Sequence, residues 1–448
     1  MRLHRLILDN REEKSLSIKF EKPQDGQVNF FSILIGENGT RKSRTLRDIV
    51  DNSVLMAARN SHERQAKSSS LMLWEDGHQE KTLISKVIAI SGVASDRFPS
   101  RITDRSRGSL KDYYDYIGPR TENNLVSRSH GINQIALSLL TWPDRVKTRH
   151  KELKNAFSVL KVANGILFEF ELTKIALEKN FDSQLRKRMD MEVGVSKYYK
   201  NISMSDISIF VSKFGSDSEV ALRLDLDDEV RIECSVDNFP LVKLMLVLGL
   251  ITIKNSYTYR DNDADVLPLS EFSSGQWQML SSLLFAALSV EDNTLILIDE
   301  PENSLHPAWQ QQYLRRLSAI ISCVKGVHVV VATHSPLIAA SLNPSISEVI
   351  QLKINRGRLT SWPITSGPFG WTSDEILMTV FGLESSRSVE FTELMDSALS
   401  LFAKGNRKNP KLIRLVETLG EMLPHLPEDD VARELIITLV GVMSKSTE

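Results

Sequence analysis

The chain predicts an α/β fold built on a mainly parallel sheet, and two observations carry that prediction. "NTLILIDEP", "KGVHVVVATHSP" and "SEVIQLKI" are compact apolar runs separated by helix-patterned segments. Strands covered on both faces of a parallel sheet read this way. Far upstream, "FFSILIG" is another such run. It passes through a glycine-containing loop into "RTLRDIVDNSVLMAARN", whose apolar residues fall at helical spacing.

The remaining elements follow in chain order. "RLHRLILDN" and "SLSIKFE" alternate apolar and polar residues, as a pair of half-buried strands would. "KVIAISG", from Lys86 to Gly92, reads as a further buried strand. From about Pro99 to Arg128 the chain is polar, with Arg101, Arg105, Arg107, Lys111 and Arg120 interleaved with Tyr113, Tyr114 and Tyr116. From about Asp144 to Lys200 the pattern is helical without a sustained heptad. "ISIFVSKF", "VALRLDL" and "VRIECSV" return to strand-like alternation. "LVKLMLVLGLITI" from Leu241 is expected as a buried core helix, followed by a loop and a second helix. Beyond about Ser373 the chain reads as helical. The implied organisation is a first half-domain over 1–143, a helical insert over 144–204 and a second half-domain over 205–360. A helical region over 361–448 completes it.

Apolar residues make up 42% of the chain and charged residues 25%, an ordinary soluble composition. Fifty-five basic against 57 acidic residues leave a net charge of −2, so no overall field draws the chain to nucleic acid or an anionic membrane. Any DNA contact needs a local patch. Cys234 and Cys323 form neither a metal-ligand pattern nor a disulfide framework, which suits a reducing compartment. The charged start "MRLHRLILDNREEKS" does not read as a signal peptide. The longest apolar run contains Lys243 and is too short to span a bilayer. A cytoplasmic, membrane-free protein is expected.

"GENGTRKS", Gly36 to Ser43, lies between the buried strand and the helix. It matches a phosphate-binding loop except at Arg41, where the pattern has glycine. "LILIDEPENSLHP" ends an apolar strand in Asp299 and Glu300. A carboxylate there holds Mg2+ beside such a loop, and a second acid takes a proton from the attacking water. The plain alternative is a strand capped by solvated acids. "FSSGQWQM" opens an apolar helix with Ser273, Ser274, Gly275 and Gln276, either an anion site or an ordinary serine N-cap. "VVVATHSP" ends a third strand at His334, which lies at the ligand-binding edge of a parallel sheet or serves the core alone. Each motif is weak by itself; their order is what distinguishes them.

That order resembles the ATP-binding cassette (ABC) ATPases. "FSSGQ" is similar to their signature, "IDEPENSLHP" to their Walker B and D-loop, and "ATHSP" to their histidine switch. The details resemble the SMC/RecF/OLD branch, with an ABC-type ATPase head over residues 1 to about 355. "YIGPRTENNLVSRS" and "SDEILMTVFGLESSR" are similar to stand-alone ATPases of antiphage operons, the PtuA type of Septu systems and then the AriA type of PARIS systems.

The resemblance implies ATP and Mg2+ as cofactors. Gly36, Asn38, Gly39, Thr40, Arg41, Lys42 and Ser43 would bind ATP, with Lys42 on the β and γ phosphates and Ser43 and Asp299 on Mg2+. It implies Glu300 as base and His334 as γ-phosphate sensor. Ser273, Ser274, Gly275 and Gln276 would act on the nucleotide of a second head. Arg41 leads to an expectation of slow turnover, and the family's Q-loop glutamine has no assignable counterpart. A homo-oligomer is expected, a dimer at least and a hexamer as a trimer of dimers. Ile376, Val380, Phe381 and Leu383 are expected to face other copies or a partner. No nuclease pattern is present in the chain, and no acidic Toprim region follows His334.

Two functions are compared. One is a regulatory ATPase controlling a separately encoded nuclease, of HNH type like PtuB or of Toprim type, with DNA reached through the complex. The other is a RecF/SMC-like ATPase acting directly on DNA. The basic stretch Arg101–Arg120 and "LRKRM" near Arg186 discriminate them, since direct DNA contact needs them on one positive face.

Overall fold

Runs such as FFSILI and TLILID have no polar face, so they are stable only where both faces are covered. The computed structural model describes residues 2–10, 13–20, 29–59, 70–75, 84–93, 95–100, 103–104, 108–109, 113–120, 128–158, 164–177, 202–214, 220–227, 230–260, 265–355, 358–364 and 367–444. In chain order the elements begin β1 (Arg2–Asn10), β2 (Glu13–Lys19), β3 (Phe30–Ile35), α1 (Lys42–Arg59), β4 (Ser70–Glu75), β5 (Lys86–Ser91), β6 (Thr103–Asp104) and β7 (Gly108–Ser109). Next come β8 (Tyr114–Ile117), α2 (Arg128–Thr141), α3 (Pro143–Thr148), α4 (His150–Phe157), β9 (Gly165–Leu172), α5 (Met204–Phe214), β10 (Val220–Asp225), β11 (Arg231–Cys234) and α6 (Phe239–Val247). Then follow β12 (Ile251–Arg260), β13 (Asp265–Pro268), α7 (Ser274–Ser289), β14 (Thr294–Asp299), α8 (Pro307–Ile321), β15 (His328–Thr333), α9 (Pro336–Ala339), β16 (Ser347–Asn355) and β17 (Arg358–Pro363). The last are α10 (Ser373–Thr379), α11 (Val389–Ala403), α12 (Pro410–Met422) and α13 (Val431–Ser444).

The central sheet has seven strands in the order β17-β16-β3-β15-β14-β5-β8. All pair in parallel except β17, which returns antiparallel along β16. β3, β14 and β15 are buried along their whole lengths. Helix α1 covers one face: Leu46, Ile49, Val50 and Val54 share a core cluster with Leu34, Leu295, Leu297, Val330 and Ala332. Each such buried aliphatic side chain contributes about 1.5–3 kcal/mol, and together they seat the helix on the sheet. Because β3, β15 and β14 are adjacent and parallel, the residues that follow them emerge side by side at one sheet edge.

Three smaller sheets occur among the described residues: β2-β1-β4, the antiparallel β11-β10-β9-β12-β13 and the two-stranded β6-β7. The chain divides into two compact units, Met1–Trp371 and Thr372–Glu448. The second is helical, with its own core of Met395, Ala398, Leu412, Val416, Leu419, Ile436 and Leu439. The fold class expected from the sequence, an α/β head with a C-terminal helical region, is the one observed. Among the described residues no helix is long and apolar enough to cross a membrane.

Several expectations are corrected. "ISIFVSKF" is helical in α5, not a strand. Ser203 and Asp206 cap its start, the Asp206 carboxylate accepting the Ser203 N–H at 2.7 Å and the Asp206 N–H reaching Ser203 Oγ at 3.2 Å. Ile207 and Phe210, three apart, are buried, whereas Ile209 is 51% exposed, as helical rather than alternating spacing demands. The helical reading of 144–200 fails at "GILFEFEL", where β9 pairs with both β10 and β12. The boundary expected at 204 therefore divides one sheet. The core helix expected from Leu241 ends at Val247; Gly249, at φ 67, turns the chain into strands β12 and β13 where a loop was expected, and the second expected helix is α7. The helical region begins at Thr372 rather than 361, because β17 pairs with β16. Ile376 and Val380 are buried within the chain and so are not free for a partner; Leu383 is 43% exposed. Arg101, Arg105, Arg107, Lys111 and Arg186 lie outside the described residues.

Candidate functional site

Gly36 leaves β3 at φ 155, where an added Cβ would strike the main-chain oxygen of Leu352 on β16. Only glycine passes so close to a neighbouring strand. Asn38 and Gly39 form the exposed tip of the loop, and Thr40 closes it by donating its hydroxyl to the Glu37 carbonyl at 2.8 Å. Lys42 begins α1 with its ammonium curled back, 2.8 Å from the Gly36 carbonyl and 3.1 Å from that of Glu37. Burial lowers its pKa to about 8, against the pull of Glu300, Asp299 and Glu302.

Arg41 adopts the left-handed conformation at φ 62 that glycine would supply. The loop therefore closes around Lys42 in spite of the substitution.

Asp299, 1% exposed, is the last residue of β14, and Ser43 Oγ donates to its Oδ1 at 3.0 Å. Burial raises the Asp299 carboxyl to about 7; the Ser43 bond opposes this, and Glu300, Asp96 and Glu302 add to it. A cation between these hard oxygens would reverse the shift. Among the described residues no cluster of three or more His, Cys, Asp or Glu is placed to hold a metal. The hydroxyl of Ser43 and the carboxylate of Asp299, both hard oxygen donors, fit Mg2+, which takes few protein ligands and completes its shell with water and phosphate oxygens.

Glu300 leaves the strand at φ 46, its N–H donating to the Ala332 carbonyl at 2.9 Å. Its carboxylate lies 3.9 Å from His334 Nε2, and both side chains are about one-third exposed. Burial, then the Lys42 charge, lowers the pKa of His334, so the ring is neutral at pH 7. Gly92 lies against the same turn: its N–H donates to the Asp299 carbonyl at 3.0 Å, and a Cβ there would strike the Glu300 carbonyl. The sheet thus brings together Gly36, Lys42, Ser43, Asp299, Glu300 and His334.

Sequence reasoning missed Glu302. One of its carboxylate oxygens accepts the His334 N–H, and the other is buried with no partner among the described residues. Burial raises its pKa. Gln310 makes a second tie, accepting from Ser335 Oγ at 2.7 Å while its amide donates to the Leu305 carbonyl at 2.9 Å. The signal was visible in "DEPENSLHPAWQ", which places Glu302 in the segment joining β14 to α8 and Gln310 in the first turn of α8.

Ser273 and Gln276 form a reciprocal capping box at the start of α7. Gln276 N–H donates to Ser273 Oγ at 3.2 Å, and Ser273 N–H to Gln276 Oε1 at 2.9 Å. The N-cap alternative is thus realised, while Ser273 and Ser274 stay exposed. Gly275 is buried, and an added Cβ would come 2.5 Å from the Ser304 carbonyl. No hydrogen bond among the described residues joins Ser273–Gln276 to the Gly36–Ser43 loop. Arg120, from the basic stretch, is bonded to Asp96, itself held by Tyr116 at 2.7 Å. It belongs to an interior ion pair, not to a positive face.

The model of a family described as "AAA domain, putative AbiEii toxin, Type IV TA system" matches residues 97–340, which include Ser273, Asp299, Glu300 and His334. The Septu protein PtuA of Bacillus thuringiensis is 34% identical over 103 residues, 22% of this chain and 25% of that protein. The Retron Vc95 probable ATPase of Vibrio cholerae serotype O1 biovar El Tor is 29% identical over 126 residues, 28% of this chain and 24% of that protein. The similar segments thus span about a quarter of each relative's length. Among solved structures, the Smc head domain of Pyrococcus furiosus, bound to the C-terminal domain of ScpA, is 12% identical. It covers 81% of this chain and 96% of its own, with a TM-score of 0.32. The SMC head domain from Thermotoga maritima is also 12% identical, covering 81% and 99% at a TM-score of 0.32.

Proposed function

We propose, because this chain belongs to the AAA-domain family whose model it matches, that it is the ATPase subunit of a bacterial antiphage complex. It uses ATP with Mg2+ to control a separately encoded nuclease. The observation that carries the nucleotide reading is the 3.0 Å bond between Ser43 Oγ and Asp299 Oδ1, formed beside the Lys42 ammonium by residues from distant parts of the chain. Likeness to a Septu protein and a retron ATPase supports the antiphage setting.

In this reading the loop amides from Gly36 to Ser43 cradle the phosphates, and Lys42 grips the β and γ groups. Mg2+ held by Ser43 and Asp299 neutralises phosphate charge when bound. Glu300 accepts the proton of the attacking water. His334, neutral and positioned through Glu302, donates a hydrogen bond to the γ phosphate. Ser273 and Gly275 meet the nucleotide of a second head, so two heads pair with two-fold symmetry. Turnover is slow, and the ATP-bound pair is the state that holds or releases the nuclease.

Isothermal titration of ATP with Mg2+ against Lys42→Ala tests the reading. Losing the buried cation should weaken binding by at least about a hundredfold, a charge-assisted contact left unmade. Undiminished affinity would sink the assignment. For the regulatory half, an adjacent nuclease gene whose product co-purifies with the chain is expected; a chain that binds DNA by itself and retains no nuclease points to the RecF/SMC-like role.

A further inference from the structure

Arg41 holds a conformation that glycine adopts freely and arginine does not. The strain is local, because the residues on either side, Thr40 and Lys42, are bonded within the loop. Loop closure imposes this backbone, but the side chain contributes nothing to it: the Arg41 side chain is exposed, and its guanidinium has no partner among the described residues. The two cations at the start of α1 therefore differ. Lys42 is folded inward onto two carbonyls, and Arg41, in the same loop, is exposed and has no side-chain partner among the described residues. The first turn of α1 contains no acid to balance them. An unpaired cation at the positive end of a helix is repelled until an anion arrives.

We propose that Arg41 is a second phosphate-gripping cation, its guanidinium closing over the terminal phosphate of ATP from the solvent side. A planar fork suits this task, since it offers paired donors to two phosphate oxygens. The proposal rests on the nucleotide-site reading above and deepens it. It assigns the preference for triphosphate over diphosphate to a residue that the loop pattern would have as glycine. It also gives slow turnover a cause other than a distorted loop, because a clamped terminal phosphate leaves slowly.

Titrating ATP and ADP, each with Mg2+, against the full-length chain, Arg41→Gly, Arg41→Lys and Lys42→Ala separates the contributions. Arg41→Gly relaxes the strained backbone and removes the exposed side chain, guanidinium included, so folding is retained. Its ATP affinity should fall about tenfold, at the lower end for a charge-assisted hydrogen bond, and its ADP affinity by less than about threefold. Arg41→Lys should fall between, because an ammonium keeps the charge but not the fork. ATP affinity in Arg41→Gly at or above that of the unaltered chain would overturn the proposal, as would equal losses for ATP and ADP. If Lys42→Ala also binds ATP normally, the underlying nucleotide site falls with it; if Lys42→Ala loses binding while Arg41→Gly does not, only the Arg41 role falls.

Discussion

At the start of α1, Ser43 reaches Asp299 at the end of β14, and Lys42 feels the charges of Asp299, Glu300 and Glu302. At the start of α7, the side-chain bonds of Ser273 among the described residues stay within its own first turn, with Gln276. Both are helix N-termini with serines, yet one is wired to side chains from distant segments and the other is locally satisfied. The difference lies in what surrounds each terminus. Parallel neighbours β3, β14 and β15 deliver a lysine, two acids and a histidine to one edge. The α7 terminus has the Ser304 carbonyl packed against Gly275 and two exposed serines. One terminus is tied to side chains from distant parts of the chain, and the other, under the proposed function, meets its ligand on a second molecule.

The largest effect that sharpens this comparison is on turnover. Glu300→Gln keeps the shape of the side chain but cannot take a proton, so ATP should still bind while hydrolysis falls by about 10²–10⁴-fold. A variant with normal steady-state hydrolysis would remove Glu300 from the chemistry.

Gly275→Ala addresses the other helix end. Its methyl would press on the Ser304 carbonyl, in the segment that through Glu302 holds His334. We expect destabilisation of about 1–3 kcal/mol by thermal melt and ATP affinity within about twofold of the unaltered chain. Hydrolysis should drop because signature and switch are both disturbed. Unchanged hydrolysis with a lowered melting temperature would leave Gly275 a purely structural glycine.

The smallest effect is the pH dependence of binding within the complete site. Metal binding requires ionised Asp299, whose carboxyl lies at about 7, so Mg2+-dependent affinity rises with pH up to that value. Phosphate binding requires charged Lys42, whose pKa lies at about 8, so affinity falls as pH rises beyond it. The expected profile is a maximum between these values, read by titration from acid to alkaline pH. A flat profile would mean that neither group is displaced in the free protein.

Most of this site was legible in the sequence, because uninterrupted apolar strands, a glycine-containing loop and acids at a strand end leave few placements for the chemistry. The parts that were not legible have physical causes. "ISIFVSKF" fits period two and a helical face equally, and the Ser203–Asp206 cap decided for α5. "GILFEFEL" sits next to a helix-patterned stretch, yet its backbone pairs with β10 on one side and β12 on the other, long-range partners that local spacing does not reveal. Glu302 looks like any loop acid until folding buries it beneath His334. The left-handed backbone at Arg41 likewise follows from loop closure, not from arginine's own preference.

The central claim is that the α7 terminus serves a second molecule, and light scattering on Glu300→Gln with and without ATP and Mg2+ tests it most directly. This variant retains ATP, so the engaged state should persist. An even multiple of the 50.6 kDa chain mass is predicted, dimer or larger, stabilised by nucleotide. A monodisperse 50.6 kDa species, unchanged by ATP and Mg2+, would contradict head pairing and the role of Ser273 across it.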